Sequence, residues 1–228
     1  MAAAQCHGAW PPLLLLPFLQ AMGLEVLMVP GKGPVLPQPI RTPSDLNRLV
    51  WDPNTDACFA HLYDAINLTR QQSEGSVPLL GFCGGPWTLM AYMIEGGGSK
   101  AFTNSKRWLY EHPEEAHRFL DGITTILVDL LVGAFLAGAQ GLQVFESHAG
   151  ELAPDEFREF SLRYLLRIAR EVKGRIAKLR ESGAVPASVP VPPMIVFPRG
   201  AMHAIEEFCA SEYDCLGIDW SISAQDAV

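Results

Sequence analysis

The segment GLQVFESH, residues 141–148, decides how the chain is expected to fold, because an apolar run ends there in three polar side chains. Residues 141–145 predict a strand, and Glu146, Ser147 and His148 follow it directly. Comparable apolar runs occur at Val77–Cys83, Met194–Phe197 and Cys215–Asp219. None of the four alternates in polarity as a half-exposed strand does, and strands buried on both faces are typical of parallel sheets.

Segments with helical periodicity separate these runs. Apolar residues at three- and four-residue spacing predict helices over Thr55–Gln72, Trp87–Ile94, Phe102–His112, Pro113–Ala137, Pro154–Arg180 and Ala201–Ala210. Thr42 followed by Pro43 predicts one more helix start. Strands that alternate with helices indicate the α/β class, either a barrel or an open doubly wound sheet.

Composition excludes several classes of protein. Hydrophobic residues make up 49% of the 228 residues, which is enough apolar material to exclude intrinsic disorder. The net charge of −8 argues against nucleic acid as a partner, since a phosphate backbone needs a basic surplus. The five scattered cysteines favour free thiols in a reducing compartment, so we expect a cytoplasmic protein. The sequence lacks an unbroken run of about 20 apolar residues, so we expect no membrane-spanning segment.

The N-terminal segment contains a short apolar run that could be mistaken for a targeting signal. The apolar core of this segment, Leu13–Leu16, resembles the centre of a secretory signal. It is short, prolines surround it and no Lys or Arg precedes it, whereas a signal peptide has a basic beginning. We therefore do not expect secretion.

Common catalytic and cofactor motifs are absent from the sequence. The glycines near Lys32 lack the third glycine of a dinucleotide fingerprint, and residues 96–100 (GGGSK) lack the order of a phosphate-binding loop and favour a helix-ending loop. The sequence contains no HExxH, CxxC or GxSxG pattern. We therefore expect no metal ion at the site.

Polar residues follow the predicted strands at their carboxyl ends. Ser147 and His148 follow one strand, Arg199 follows the next, and Asp219 ends the last. In a barrel, the carboxyl ends of the strands carry the active site. Each residue also has a structural interpretation: Ser147 could cap the following segment, His148 could be hydrogen-bonded behind the site, and Asp219 could bind backbone amides before Ser221.

Longer blocks of sequence resemble uroporphyrinogen decarboxylases from about Met22 onward. On this resemblance, residues 22–228 are interpreted as one domain that is truncated at both ends, and residues 1–21 as an atypical N-terminal segment. The resemblance rests on MGLEVLMVPGKGP (22–34), PLLGFCGGPWTLMAYMIEGGGSK (78–100), KRWLY (106–110), LVGAFLAGAQGLQVFESHAGEL (131–152), PMIVF (193–197) and GIDWS (217–221). The blocks GPWTLMAYMIEGGGS and FESHAG are far more specific than a lone glycine pattern.

This resemblance implies part of a TIM-type (β/α)8 barrel that works without a cofactor and forms a homodimer in the cytosol. It also implies the reaction: the four acetate carboxyl groups of uroporphyrinogen III are removed as CO₂, which yields coproporphyrinogen III. The substrate-binding tyrosine of the family falls on Tyr92 and its serine on Ser147, while Phe145 is expected in the apolar wall of the cleft.

The resemblance also has departures. Leu14 stands where the family has its aspartate. The family's N-terminal arginines and its histidine have no counterpart in the sequence. The resemblance therefore covers only strands three to six of the eight in the family barrel. We therefore expect this chain alone to be a poor catalyst; the alternative is a non-catalytic form that only associates with full-length chains. A corrinoid- or zinc-dependent methyltransferase shares the barrel but needs Cys or His ligands at the strand ends, which the sequence lacks.

Overall fold

The computed structural model describes residues 10–223 and residue 225. Its centre is a parallel sheet of four strands in the order β3 (Leu80–Gly84), β4 (Gly141–Glu146), β5 (Met194–Pro198) and β6 (Cys215–Leu216). Strands that follow one another in the sequence are therefore neighbours in the sheet, as in a segment of a (β/α)8 barrel. This confirms the predicted α/β class and the four predicted strands.

Helices connect the strands and cover one face of the sheet. They are α1 (Trp10–Ala21), α2 (Thr55–Gln72), α3 (Pro86–Glu95), α4 (Thr103–Glu111), α5 (Pro113–Leu136), α6 (Pro154–Phe157), α7 (Arg163–Glu181) and α8 (Ile205–Cys209). A small antiparallel hairpin, β1 (Leu27–Val29) and β2 (Gly33–Val35), precedes α2 and does not join the parallel sheet.

Helix α5 is the central helix of the core. It has 24 residues and is long and apolar enough to cross a membrane by length and composition alone. Its side chains Phe119, Ile123, Leu127 and Leu131 are fully buried, because the helix packs against α2, α3, α7 and the strands β3 and β4. Burial inside the protein accounts for its apolar composition.

Residues 10–21 form helix α1, for which the sequence predicted no element and which contains Pro17. Phe18, Leu19 and Ala21 are buried in the same core as the sheet. The described part of the N-terminal segment thus packs as part of the domain. Residues 1–9 lie outside the described residues, and the domain boundary at residue 22 stays a prediction.

Two strand boundaries differ from the prediction. Strand β3 begins at Leu80 rather than Val77, because Pro78 has no amide hydrogen to donate and the side chain of Gln140 accepts the Leu79 amide instead (3.2 Å). Strand β6 ends at Leu216 rather than Asp219. Beyond it the chain turns, because the Asp219 carboxylate accepts the amides of Gly200 (2.5 Å) and Ser221 (2.8 Å).

Three predicted helices also differ in detail. The helix expected over Pro154–Arg180 is interrupted by a π-helical segment, Arg158–Leu162, which separates α6 from α7. The start predicted at Thr42 opens a 3-10 turn, Pro43–Arg48, whose first turn is held by the Asp45 carboxylate. The helix expected over Ala201–Ala210 divides into a 3-10 turn and the short helix α8. Local periodicity predicted each location but not the hydrogen-bond pattern.

The two edges of the sheet are open in the described part of the chain. β3 pairs only with β4, and β6 only with β5. Apolar side chains are exposed at both edges: Val77 (58%) and Leu80 (41%) near β3, and Ile218 (39%) and Trp220 (80%) beyond β6. An apolar cavity of about 340 Å³, lined in part by Leu80, also borders the β3 edge. An exposed edge presents unpaired backbone groups to any neighbouring strand.

We expect the purified chain to self-associate through these edges, because exposed apolar side chains and unpaired strands favour pairing with another chain. Ile218→Lys should lower the weight-average mass in sedimentation equilibrium. Tyr110→Lys is the matched control, since Tyr110 is 71% exposed on α4, a helix that packs against α3 and α5. A wild-type chain that sediments as a monomer at every concentration would contradict the expectation.

Candidate active site

A cleft of about 240 Å³ lies at the carboxyl ends of β4, β5 and β6. Its lining comprises Ser147, His148, Gly150, Glu151, Arg199, Gly200, Asp219, Trp220 and Ser221. The polar residues that the sequence placed after the predicted strands therefore line one cleft. The parallel register explains this: Phe145 is paired with Gly84 on one side and with Phe197 on the other, so the three strands end at the same level.

The loops after β4 and β5 meet backbone to backbone at the cleft. The Gly150 amide donates to the Arg199 carbonyl (2.8 Å). A Cβ atom on Gly150 would lie 2.8 Å from the Cα of Gly200, closer than side chains are found. Both positions therefore need glycine for this approach, which fixes the floor of the cleft.

Asp219 has the structural role that the sequence left open for it. Its carboxylate accepts the Ser221 hydroxyl (2.5 Å) and the amides of Ser221 and Gly200. These hydrogen bonds hold the pKa of Asp219 below its ordinary value, the Ser221 hydroxyl contributing most. The Arg199 guanidinium lies over the Trp220 ring at 5.1 Å, at the side of the cleft.

The hydroxyl groups of Ser147 and Tyr92 make no hydrogen bond to any of the described residues. Ser147 lines the cleft, and its hydroxyl makes no hydrogen bond within the described part of the chain. Tyr92 lies on α3, and its ring centroid is 5.5 Å from that of His148, the neighbour of Ser147. Burial raises the pKa of Tyr92. Tyr92 is not among the described residues that line the cleft, so a shared cavity for the two hydroxyls stays a prediction.

His148 is the contact between these two residues. Its ring packs against Phe102 (4.3 Å between centroids) as well as Tyr92. Its Nε2 atom is buried without a hydrogen-bond partner among the described residues. Burial lowers the pKa of His148 to about 4; the charge of Glu151 opposes the shift and that of Arg199 adds to it. The ring is therefore uncharged at neutral pH. The sequence analysis considered a hydrogen-bonded His148 behind the site, and for the Nε2 atom this interpretation is wrong.

Phe145 lies on the sheet face that the helices leave uncovered. It is half-buried and makes edge-to-face contacts with Phe82 and Phe197, each with ring centroids 6.2 Å apart. The three rings form an apolar row across β3, β4 and β5 just below the strand ends. This is the face that points inward in a closed barrel. The position suits an apolar wall, and contact with a substrate stays a prediction.

Glu146 is the residue at this end of the sheet that sequence reasoning missed. It is fully buried, and its carboxylate lies at the N-terminus of α3. Oε1 accepts the Thr88 amide (2.7 Å) and the Thr88 hydroxyl, while Oε2 accepts the Trp87 amide (3.2 Å) and the Ser161 hydroxyl (3.1 Å). The signal was present in the sequence, since residues 142, 144 and 146 share one strand face and a carboxylate on a buried face needs donors.

The surroundings of Glu146 fit its carboxylate closely. A Cβ atom on Gly85 would lie 2.5 Å from Oε2, so any larger residue there would displace the carboxylate from its donors. The π-helical segment after α6 contains Ser161 and directs its hydroxyl at the same oxygen. Glu146 therefore joins β4, the N-terminus of α3 and the irregular turn before α7.

The profile of the uroporphyrinogen decarboxylase (URO-D) family matches residues 4–228. The chain belongs to this family. Relatives named uroporphyrinogen decarboxylase include those of Schizosaccharomyces pombe (46% identity, 95% of this chain and 57% of the relative), Danio rerio (49%, 91% and 54%) and Homo sapiens (48%, 91% and 54%). The chain spans about half the length of the curated relatives it matches. The family resemblance seen in the sequence blocks is thus confirmed.

A solved structure supports the barrel type of fold. A methyltransferase from Methanosarcina mazei superposes with a TM-score of 0.67 at 18% identity, covering 90% of this chain and 55% of that one. At this identity the likeness extends to the fold alone. The described residues of this chain contain no group of three or more His, Cys, Asp or Glu side chains that could hold a metal ion.

We expect Glu146 to make stability fall as pH rises. Burial raises its pKa in the folded chain from the ordinary 4.5 to about 7, so the folded state holds this proton more tightly than the unfolded state does. The stabilising contribution is complete below pH 4.5 and is lost as pH rises to about 7. The free energy of unfolding should drop by roughly 3 kcal/mol over this window relative to Glu146→Gln.

The measurement is urea denaturation of both chains between pH 4.5 and 8. Because Glu146→Gln removes the titrating group and leaves the other carboxylates, the difference between the two pH profiles isolates Glu146. A difference that stays constant across this range would contradict the expectation.

Proposed function

We propose that this chain acts in the decarboxylation of uroporphyrinogen III to coproporphyrinogen III, with the cleft at the strand ends as its substrate site. The family match over residues 4–228 carries the proposal. The cleft adds support, because Ser147 lines it with an unbonded hydroxyl and Tyr92 lies against the adjacent His148. Tyr92 and Ser147 are proposed as substrate-binding residues and Phe145 as part of the apolar wall.

The chemistry of the reaction fits this kind of site. Each step replaces one carboxyl group with a proton. The pyrrole ring is first protonated; the bond to the carboxylate then breaks, CO₂ leaves, and the ring accepts the electron pair, which leaves an exocyclic methylene carbon. That carbon takes up a proton and becomes the methyl group, and the ring then loses its own added proton. The charge that develops on the ring needs stabilisation by preorganised groups, and no cofactor has to accept electrons. We propose that the family reaction proceeds here without a cofactor or a metal ion.

The cellular setting belongs to the same proposal. We place the protein in the cytosol as a homodimer, on the grounds of the family resemblance and of free thiols typical of a reducing compartment. The open edges of β3 and β6 give the chain a surface for association. Neither nucleic acid nor a membrane is part of the proposed function.

Substrate binding is the direct test of the site. We expect the chain to bind uroporphyrin III, the stable oxidised analogue, and Ser147→Ala to weaken binding about fivefold to tenfold, as expected for one lost hydrogen bond. Quenching of tryptophan fluorescence measures the dissociation constant. Ser76→Ala, an exposed serine before β3, is the matched control and should bind as the wild type does. Equal affinity of wild type and Ser147→Ala would remove Ser147 from the site.

Turnover by this chain alone should be at least roughly 100-fold below that of a full-length family enzyme, because one lost preorganised charge costs that much. Leu14 occupies the position of the family aspartate, and its side chain cannot accept hydrogen bonds from pyrrole N–H groups or stabilise a protonated ring. The assay is anaerobic incubation with uroporphyrinogen, with products separated by carboxyl number. Coproporphyrinogen formed at the full-length rate would overturn this expectation.

A further inference from the structure

We propose that Glu146 is a positioning residue: its buried carboxylate fixes the start of α3 against the end of β4, and thereby places the Tyr92 ring against His148 beside Ser147. The inference deepens the proposed function and rests on it for the meaning of Tyr92 and Ser147. Glu146 itself lies on the helix side of the sheet, away from the cleft, so it acts through α3 and not by contact with a substrate.

The first step of the argument is the helix terminus. The first amides of an α-helix have no partner within the helix, and the amides of Trp87 and Thr88 donate to the two oxygens of Glu146 instead. Both oxygens therefore act as acceptors for α3, one for each amide. An alanine at this position offers no acceptor, so the amides of Trp87 and Thr88 would lose this partner whatever the protonation state of Glu146 in the wild type.

The second step carries this contact to Tyr92. Thr88 and Tyr92 are four residues apart on α3 and so share one face of the helix. The Thr88 hydroxyl donates to Glu146 and accepts a hydrogen bond from the His148 amide (3.3 Å). These two hydrogen bonds fix the position of this face of α3 relative to the end of β4. One helical turn later on this face, Tyr92 lies against the His148 ring. A shift at Thr88 therefore moves Tyr92 relative to His148.

The third step is the support of the carboxylate from its other side. The Ser161 hydroxyl reaches Oε2 from the π-helical segment, and Gly85 leaves the room that the carboxylate occupies. Loss of Glu146 should not detach α3, because the Trp87 indole still donates to the His148 carbonyl (3.0 Å) and the apolar side chains of α3 remain buried. The expected change is a displaced helix in a folded chain.

The His148 ring reports this displacement without any need for turnover. It is buried by Phe102 and Tyr92, and the charged groups that act on it are Glu151, from the turn after β4, and Arg199, from the loop after β5. Glu146 is not among them, so loss of its charge alone leaves His148 unaffected. If Tyr92 moves away, water reaches the ring and the pKa of His148 rises from about 4 toward its ordinary 6.5.

The experiment is NMR titration of the histidine ring resonances in the 228-residue chain, for wild type, Glu146→Ala and Ser161→Ala. Alanine removes both acceptor oxygens at every pH, so the comparison holds in the acid range where His148 titrates. We expect the His148 midpoint to rise by at least about one unit in Glu146→Ala, a tenfold change in proton affinity, and by less in Ser161→Ala. Asp214→Ala is the matched control. Asp214 also accepts a backbone amide, that of Met194 (2.8 Å), but it lies at the amino end of the sheet.

A role in stability alone would lower the melting temperature of Glu146→Ala and leave the His148 midpoint of the folded molecules at about 4, which would overturn the proposal. The same rise in Asp214→Ala would also overturn it, since it would reflect general loosening. If Glu146→Ala does not fold, Ser161→Ala decides the question: a raised midpoint supports the proposal and an unchanged one refutes it. A failed decarboxylation assay leaves this result untouched.

Discussion

The carboxylate of Glu146, buried among four donors, is the interaction on which the arrangement of the cleft depends. A charged or polar group in the core is tolerated where hydrogen bonds replace its water. Glu146 satisfies this condition with the amides of Trp87 and Thr88 and the hydroxyls of Thr88 and Ser161. In the same contacts it caps α3 and joins it to β4. Removing the Glu146 carboxylate leaves its donors without this acceptor in the protein interior, and such an unpaired polar group is destabilising.

The parallel sheet supplies the second constraint. Because β3, β4 and β5 end at the same level, the residues that follow them meet at one end of the sheet. The loops there approach so closely that Gly150 and Gly200 leave no room for side chains. Ser147, Arg199 and Asp219 come from three different strands and still line one cleft. This arrangement follows from strand direction and register, which is why the fold supports a site at this end.

The described residues form a sheet with two open edges and an uncovered aromatic face. In a closed barrel the inward face is packed and the edges are paired. Here Phe82, Phe145 and Phe197 lie in a row on a face without a second layer, and apolar side chains are exposed at both edges. The chain matches about half the length of its relatives, and its geometry is that of half a barrel.

The sequence by itself determined the fold class, the four strands and the family, because apolar runs without alternation and long specific blocks are local features. It also placed Ser147 directly after a strand, whereas Asp219, which it expected to end the last strand, lies beyond β6. Only the tertiary structure decided that a π-helical segment separates α6 from α7 and that Asp219 binds backbone amides. It also showed that Glu146 caps a helix 58 residues earlier in the chain. These features depend on donors and acceptors that are distant in sequence and become neighbours when β3, β4 and β5 pair, so no local pattern contains them.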